Sequence, residues 1–408
     1  MQVEVINTGT ELLLGTTVNT HLSYLGQGLF PLGLRISRQI CIPDGDEIRK
    51  AMIDAFPRND FILITGGLGP TTDDMTREIT SELLQLPLEE DPAMVEHITR
   101  FYERRGRSMD ETGRRQAMVP KGAEVLDNPN GTAPGLFIPR SAVHPHLFLL
   151  PGPPRELYPM FENEVVPRLQ KLLPTNEALS RNWKFFGIGE SELAKKLEPK
   201  LIGIGDIEIG YCAKPADVEL RCIGRPELLD LVGIQVNQTF PRELISTDGK
   251  TMEETVVQLL ISGKQWVSVA ESCTGGLIAH RLTNVAGASG ILAETHVTYS
   301  NEAKNRILGV SESDLRANGA VSEPVARSMA EGCLRISRAD HALAVTGIAG
   351  PGGGSEEKPV GTVFVALASK AAPTRVERCF FPSEREAFKL RTSQQALDFL
   401  RQRLLGYD

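Results

Sequence analysis

Residues 62–78, ILITGGLGPTTDDMTRE, decide the fold of the first part of the chain. The apolar run that ends at Thr65 predicts a buried strand, and three glycines within the next four positions predict a tight turn. The acidic residues that follow predict the start of a helix near Asp73 and Asp74. A strand, a glycine turn and a helix in this order are typical of one unit of an open α/β sheet.

Two further strand-then-helix units precede this one, with β-branched runs at 3–8 and 35–42. Each run leads into a helical pattern, the second of which begins at Asp46. This alternation predicts parallel strands joined by crossover helices, and therefore a doubly wound sheet. An apolar run, a proline-rich turn and a long helical pattern at 147–173 close this first domain, which we place at residues 1–172.

The pattern changes over residues 174–250, where short alternating strands surround one short helix. From residue 251 to residue 408 the alternation of strands and helices returns. The predicted fold class is therefore α/β, with two doubly wound α/β domains joined by a small α+β middle domain.

Composition narrows the classes of function. The 408 residues carry a net charge of −8, and only 6% are aromatic, which disfavours a surface that binds nucleic acid directly. No apolar run is long enough to cross a membrane, and the first residues do not resemble a secretion signal. The six cysteines are scattered without a CxxC pair, so we expect reduced thiols and a cytoplasmic protein.

The first candidate site lies at the glycine turn. Gly66, Gly67 and Gly69 allow the backbone to approach a ligand closely, and amides at a helix start favour phosphate. No Gly-Lys-Ser/Thr follows, so the turn is not a P-loop.

Acidic residues follow other predicted strands of this domain. Asp44 follows the second strand, and Glu11 follows the first. Together with Asp74 they are candidates for holding a divalent cation beside a pyrophosphate, because such hard ions prefer oxygen ligands. The alternative is structural: Asp73 and Asp74 would be acids of a first helical turn, and Glu11 would cap a turn.

The second candidate site lies in residues 267–282, VSVAESCTGGLIAHRL. The hydroxyls of Ser272 and Thr274 and the amides of Gly275 and Gly276 would meet at one helix start. Such a group predicts a pocket for a phosphate monoester. Simple N-capping by a hydroxyl is the alternative, although it accounts for only one of these residues.

A tyrosine and a lysine follow on the next strand-to-helix turn. Lys304 lies in a first helical turn, where the dipole favours the neutral amine, and partial burial would make it a base for a nearby serine. The alternative is a solvated Lys304 and a half-buried Tyr299. The residues alone do not choose between Ser272 and Ser289 as the nucleophile, and Cys273 is a further candidate for that role.

The first domain resembles the molybdopterin-binding-type domain of the competence/damage-inducible protein A family. The motifs that carry this resemblance are GTELLLG (9–15), PDGDEI (43–48), TGGLGPTTDD (65–74) and LPGPP (150–154). It implies metal-dependent hydrolysis of ADP-ribose to AMP and ribose 5-phosphate. Asp44 and Asp74 would then be the metal and phosphate-activating acids. Related domains bind molybdopterin instead, so a non-hydrolytic molybdopterin- or nucleotide-binding module is the alternative.

The last domain resembles the nicotinamide-mononucleotide amidohydrolase domain. The motifs that carry this resemblance are AESCTGG (270–276), YSNEAK (299–304), GAVSEPVA (319–326), VTGIAGPGGGSEEKPVGTV (345–363) and FPSEREAFKLR (381–391). It implies conversion of nicotinamide mononucleotide to nicotinic acid mononucleotide and ammonia without a cofactor.

The resemblance also implies roles for individual residues. Ser289 would attack the carboxamide carbon, and Lys304 with Tyr299 would accept and return its proton. The nucleotide site would be lined by Ser272, Thr274, Thr346 and Gly347, with Arg385 on the 5′-phosphate.

The sequence departs from the family pattern at Glu294, Thr295 and His296, where relatives often carry small, glycine-rich residues. This departure bears on substrate preference. The family resemblance further implies a homodimer that recycles pyridine nucleotides. An interaction protein in competence or DNA recombination is the alternative, which the acidic charge disfavours.

Overall fold

The computed structural model describes residues 1–173 and 178–407, so the predicted domain boundary at 174 and the final residue, 408, lie outside the described residues. The chain divides into two compact units, Met1–Leu179 and Ser180–Asp408. Within the described residues no helix is both long and apolar enough to span a bilayer.

The first unit is built on a six-stranded sheet in the order β2-β1-β3-β8-β7-β6. Strands β2, β1, β3 and β8 are parallel, and β7 and β6 add antiparallel pairs at one edge. The strands of this unit are β1 (Gln2–Thr8), β2 (Arg35–Ile42), β3 (Phe61–Thr65), β4 (Leu88–Glu90), β5 (Met118–Pro120), β6 (Glu124–Leu126), β7 (Gly135–Ile138) and β8 (His146–Leu150), with β4 and β5 forming a separate two-stranded sheet.

Helices cover this sheet and enclose two clusters of buried apolar side chains. They are α1 (Thr10–Leu13), α2 (His21–Leu29), α3 (Glu47–Ala55), α4 (Thr76–Leu84), α5 (Pro92–Glu103), α6 (Glu111–Arg115), α7 (Pro154–Met160) and α8 (Val166–Leu172). A π-helical turn, Phe161–Val165, joins α7 to α8. The predicted α/β class with parallel strands is confirmed. Strand β3 is apolar and fully buried, as expected of a parallel strand covered on both faces, and α3 and α4 each bury one face.

One predicted helix start is wrong. Helix α4 begins at Thr76, so Asp73 and Asp74 belong to the preceding turn and are not first-turn helix acids. The turn is lengthened because the Thr76 amide donates to the Gly67 carbonyl and the Thr71 amide donates to Asp74 Oδ2 at 2.9 Å. Asp74 therefore closes the turn instead of capping a helix.

The second unit contains two sheets. The first has the order β10-β11-β9-β12, and its strands are β9 (Leu179–Phe185), β10 (Glu208–Ala213), β11 (Val218–Gly224) and β12 (Leu244–Ser246). Helices α9 (Glu190–Leu201) and α10 (Pro226–Thr239) contribute to an apolar core of its own. This sheet lies within residues 174–250, the region predicted to be α+β.

The second sheet of this unit has the order β14-β13-β15-β16-β17. Its strands are β13 (Val267–Glu271), β14 (Leu292–Val297), β15 (His341–Gly347), β16 (Thr362–Ser369) and β17 (Ala372–Phe380). Strands β14, β13 and β15 are parallel, whereas β16 and β17 are antiparallel additions joined by a short turn. The sheet is therefore mixed, and β17 was not predicted because its residues are largely polar or exposed.

Helices lie over this sheet and bury two apolar clusters. They are α11 (Met252–Gly263), α12 (Leu277–Thr283), α13 (Asn301–Leu308), α14 (Glu312–Asn318), α15 (Glu323–Ser337) and α16 (Arg385–Leu404).

A buried arginine joins α16 to the four-stranded sheet. Arg401 is fully buried, and its Nε donates to Asp398 Oδ1 at 2.8 Å. Its Nη1 donates to the Leu244 carbonyl of β12 at 2.7 Å, and its Nη2 donates to the Arg242 carbonyl. Asp398 also accepts from Gln402 Nε2 at 2.6 Å, but Arg401 supplies the cation beside it, so removing Arg401 would leave a buried carboxylate without its ion-pair partner and two carbonyls without this donor.

We therefore expect Arg401→Ala to lower the free energy of unfolding by about 3 kcal/mol or more, because an uncompensated buried charge remains. Urea unfolding monitored by circular dichroism measures this loss. Arg316→Ala is the control, since Arg316 forms an exposed pair with Glu312 and its loss should cost less than about 0.5 kcal/mol. Equal midpoints for the two variants would contradict the assigned role of Arg401.

Candidate functional site

A tight turn after β13 presents a serine at the carboxyl edge of the mixed sheet. β13 ends at Glu271, and Ser272 follows directly. The chain then turns through Gly275 and Gly276, whose φ angles of 64° and 97° lie in the left-handed region that favours glycine. The Gly275 amide donates to the Ser272 carbonyl at 3.1 Å, so the turn closes on itself and fixes the serine.

A buried lysine faces this serine. Helix α13 is capped by Ser300, whose hydroxyl accepts from the Ala303 amide, and Lys304 follows in its first turn. The side chain of Lys304 is 1% exposed, and its Nζ lies 3.0 Å from Ser272 Oγ. The same Nζ donates to the carbonyls of Thr298 at 2.8 Å and Tyr299 at 3.1 Å.

Burial determines the protonation of this amine. Desolvation lowers the pKa of Lys304, because the charged form loses its hydration and the surrounding acceptors are neutral. No carboxylate forms an ion pair with it among the described residues. The alternative interpretation of Lys304 as a solvated surface lysine is therefore wrong. In its neutral form the amine accepts the Ser272 proton, which is the requirement for a Ser–Lys nucleophile pair.

Both residues open into a cavity of about 200 Å³. It is lined by Ser272, Cys273, Tyr299, Lys304, Ala320, Val321, Thr346, Gly347, Ala349 and Arg385, and we call it the C-terminal cavity. No acidic side chain is found among these lining residues.

Tyr299 and Arg385 form one wall of the C-terminal cavity. Tyr299 is 62% exposed, and its hydroxyl accepts from Arg385 Nη2 at 3.1 Å. Arg385 Nη1 donates to the Gly350 carbonyl at 2.9 Å. The phenol of Tyr299 therefore contacts the guanidinium, while its backbone carbonyl contacts the amine of Lys304. All three residues line the cavity, but the predicted proton transfer through Tyr299 has no contact behind it, because the phenol meets Arg385 and not the Lys304 amine.

The structure does not bring Ser289 to this group. Ser289 is exposed on the one-turn 3₁₀ helix Ala288–Gly290, which precedes β14. Tyr299 and Lys304 follow the other end of β14, and six strand residues span about 20 Å. Ser289 therefore lies at the amino edge of the parallel strands and Lys304 at their carboxyl edge. The predicted grouping of Ser289 with Lys304 is therefore wrong, and the hydroxyl that contacts the Lys304 amine is that of Ser272.

The predicted phosphate pocket at the start of α12 also needs correction. The amides of Gly276, Ile278 and Ala279 already donate to the Glu271 carboxylate. An anion from this chain therefore occupies the helix start. Thr274 is fully buried, and neither it nor the two turn glycines belongs to the lining described above.

Cationic side chains instead stand on the first two turns of α16. Arg385 lines the C-terminal cavity, and Lys389, one turn later, has its Nζ 3.8 Å from where a Cβ on Gly275 would lie. Neither Lys389 nor Glu271 was among the residues predicted for this site. A lysine four residues after Arg385 and an acid that ends an apolar strand were the available signals.

Three further residues considered in the sequence, Thr346, Gly347 and Cys273, also lie at the C-terminal cavity. Thr346 and Gly347 end β15 and line the C-terminal cavity, where the Thr346 hydroxyl donates to the Ala320 carbonyl at 2.8 Å. Cys273 also lines it, but burial raises the pKa of its thiol to about 12. A thiol at this pKa provides almost no thiolate at neutral pH, which disfavours Cys273 as the nucleophile.

The first unit carries a second cavity, of about 360 Å³, which we call the N-terminal cavity. Its lining includes all six residues predicted for this domain: Glu11, Asp44, Gly66, Gly67, Gly69 and Asp74. The buried Thr8 hydroxyl and the buried Gln116 side-chain carbonyl also line it without a hydrogen-bond partner.

Gly66 fits its position for a steric reason: its φ is 99°, and an added Cβ would lie 2.5 Å from the Thr8 carbonyl oxygen. Backbone of the first and third strands therefore meets at the floor of the N-terminal cavity. The Gly66 amide itself donates to the Leu150 carbonyl at 2.9 Å, so it is used within the fold.

The acids of the N-terminal cavity do not form a ready metal site. Among the described residues no three His, Cys, Asp or Glu side chains are grouped closely enough to hold a metal ion. Asp44 Oδ2 accepts from the Thr10 amide at 3.2 Å, and Asp74 Oδ2 accepts from the Thr71 amide and hydroxyl. These carboxylates therefore act as turn acceptors in this structure, and the arrangement does not fit the predicted three-carboxylate ligand set.

Comparison with known proteins gives two domain matches. Residues 4–171 match the probable molybdopterin binding domain, and residues 249–404 match the CinA C-terminal domain. The crystal structure of the competence/damage inducible protein CihA from Agrobacterium tumefaciens is 43% identical. It covers 37% of this chain and 95% of its own, with a TM-score of 0.36.

Two similar relatives extend over the whole chain. A CinA-like protein of Akkermansia muciniphila is 44% identical over 397 residues, which are 97% of this chain and 96% of that protein. A putative competence-damage inducible protein of Caldicellulosiruptor bescii is 44% identical over 415 residues and covers 100% of both chains. With such identity along its full length, and with both domains in order, the chain belongs to the CinA family of competence/damage-inducible proteins.

Proposed function

We propose that the second unit hydrolyses the carboxamide of nicotinamide mononucleotide, giving nicotinic acid mononucleotide and ammonia. The observation that carries this proposal is the 3.0 Å contact between Ser272 Oγ and the buried Nζ of Lys304. A serine beside an amine with a lowered pKa is an activated nucleophile, and acyl transfer is the chemistry that such a pair performs.

The reaction follows from the positions of these groups. Neutral Lys304 accepts the Ser272 proton while Oγ attacks the carboxamide carbon, forming a tetrahedral intermediate. Lys304 then returns the proton to the nitrogen, the C–N bond breaks and ammonia leaves an acyl-serine ester. A water molecule, deprotonated by the same amine, attacks the ester, and the carboxylate product leaves as Ser272 regains its proton.

The charges of the C-terminal cavity support a phosphorylated substrate. Its lining contains two basic side chains and no acidic one among the described residues, and Arg385 uses two of its five donors on Tyr299 and Gly350. The remaining donors are available to a phosphate in fork geometry. The second cation on α16, Lys389, adds to the same local charge.

We expect Ser272→Ala to lower kcat for nicotinamide mononucleotide by at least about 10³-fold, because the attacking oxygen is removed. Ser289→Ala is the matched control and should keep kcat within about twofold, since this hydroxyl lies at the other edge of the sheet. Ammonia release in a coupled assay measures both. Loss of activity in the Ser289 variant with retention in the Ser272 variant would reverse the assignment.

The activity should rise with pH on its acidic side, because only the neutral Lys304 accepts a proton. Its pKa is lowered by burial, so this limb lies below the range of an ordinary lysine. Lys304→Arg should be inactive at every pH tested, since a guanidinium stays protonated. The pH dependence of kcat/KM measures the limb, and an active arginine variant would exclude Lys304 as the base.

The same shift has a consequence for stability. Between the lowered pKa of Lys304 and the ordinary value of 10.5, unfolding takes up a proton, so the wild type gains stability as the pH rises through this window. Lys304→Met lacks this linkage. We expect it to be at least as stable as the wild type at neutral pH, with the difference narrowing toward pH 10.5, as measured by urea unfolding.

We propose that the N-terminal cavity binds ADP-ribose; hydrolysis to AMP and ribose 5-phosphate and binding without hydrolysis are the two hypotheses for the bound nucleotide. Its support is the group of turn glycines and carboxylates in one cavity, together with the unpartnered groups of Thr8 and Gln116. The absence of a three-ligand cluster in the described residues favours the alternative, a binding module without hydrolysis.

Product analysis separates these two possibilities. Hydrolysis predicts AMP from ADP-ribose, with a rate that depends on added divalent cation and falls at least about tenfold in Asp44→Asn and in Asp74→Asn. Ser272→Ala is the control and should leave this rate unchanged. Binding of ADP-ribose by calorimetry without any AMP would support the binding module.

A further inference from the structure

Glu271 is a buried carboxylate for which the proposed chemistry has no role. It is the last residue of β13, directly before Ser272, and its side chain is 1% exposed. Oε2 accepts from the amides of Gly276 at 3.0 Å and Ile278 at 3.2 Å, and Oε1 accepts from the Ala279 amide at 2.9 Å. These donors are the free amides at the start of α12, so both carboxylate oxygens are engaged.

Burying a carboxylate at this position costs more free energy than capping a helix requires. A buried carboxylate loses its hydration, and no basic side chain forms an ion pair with Glu271 in the described part of the chain. A serine or threonine at the helix start would satisfy an amide without burying a charge. The carboxylate of Glu271 differs from an ordinary cap. It belongs to the residue before Ser272 and binds amides at the far end of the turn, so it links the two ends of the turn.

Glu271 also holds the opposite side of the site through its backbone. Its carbonyl accepts from the Thr298 amide at 2.8 Å, just beyond the end of β14. The carbonyl of Thr298 in turn accepts from Lys304 Nζ at 2.8 Å. One residue therefore fixes the turn that carries Ser272 through its side chain, and the segment that holds Lys304 through its main chain.

We propose that Glu271 is a positioning residue. Its carboxylate binds the amides of Gly276, Ile278 and Ala279, and these three hydrogen bonds, which we call the clamp, hold residues 272–279 so that the Ser272 hydroxyl stays in contact with the Lys304 amine. This inference rests on the proposed function of that pair. The side chain itself touches neither substrate nor the reacting atoms. The clamp acts on the orientation of Oγ, and small displacements of a nucleophile cost rate while substrate binding is preserved.

The test is Glu271→Gln, which keeps the shape but replaces one oxygen by an amide group that faces backbone N–H donors. We expect kcat for nicotinamide mononucleotide to fall by about 10- to 100-fold with KM changed less than about threefold. Glu271→Asp keeps the charge on a shorter arm and should give an intermediate kcat. The control is Glu254→Gln, which alters the capping box of α11 through the same chemical change and should leave kcat unchanged.

If Glu271 had only a structural role, Glu271→Gln would have a lower thermal midpoint and a lower yield of folded protein. Its kcat per folded site would then equal that of the wild type, and this result would overturn the proposal. If the glutamine variant does not fold, the aspartate variant carries the test, and a wild-type kcat there would overturn it equally.

A second readout does not depend on the substrate. A fluorophosphonate probe phosphonylates an activated serine: Oγ bonds to phosphorus, fluoride leaves, and the serine proton goes to the base. We expect labelling of the wild type, slower labelling of Glu271→Gln by the same factor as kcat, and none in Ser272→Ala. If the wild type released no ammonia from nicotinamide mononucleotide but Glu271→Gln were still labelled more slowly than the wild type, the proposed substrate would be refuted and the positioning role of Glu271 would stand. Equal labelling of wild type and variant would refute the clamp alone.

Discussion

A lysine amine that is buried with no acidic partner among residues 1–173 and 178–407 is the constraint on which the site of the second unit depends. Lys304 is surrounded by one hydroxyl and two carbonyls, so its hydrogen bonds are satisfied while its charge is not balanced. Burial lowers the pKa of this amine, and the Ser272 hydroxyl remains within hydrogen-bond distance of it. Ser272 lies beside this amine at the start of a turn that contains two left-handed glycines and whose following amides are bound by the Glu271 carboxylate.

The two turns predicted to bind phosphate differ in their surroundings. In the first unit the turn glycines and the nearby carboxylates line a cavity, and the Gly66 amide donates to the Leu150 carbonyl. In the second unit the amides at the start of α12 are already bound by Glu271. A helix start binds one anion, and here the chain supplies it. The cations on α16 are then the groups available to a substrate phosphate.

Much of the architecture could be predicted from the sequence. The strand over 35–42 is observed with the predicted bounds, and the helix predicted to begin at Asp46 is observed as Glu47–Ala55 with Asp46 as its N-cap. Apolar runs and helical periodicity are local signals, and they determine such elements. Strand direction is not local, so the antiparallel β16 and the exposed β17 were outside what the pattern indicated. The helix start at Thr76 was misplaced because Asp74 closes a turn through Thr71, a hydrogen bond that the spacing of acids does not show.

The sequence by itself determined the family, the α/β class and the residue types of both candidate sites, because these depend on motifs and on the order of elements. Only the tertiary structure decided which serine faces the amine. Ser272 and Ser289 both stand in small, glycine-rich turns, and nothing in their neighbours along the chain separates them. Parallel strands bring the ends of β13 and β14 to one edge and place Ser289 at the other. A contact between residues 32 positions apart is a property of sheet topology, which no local pattern contains.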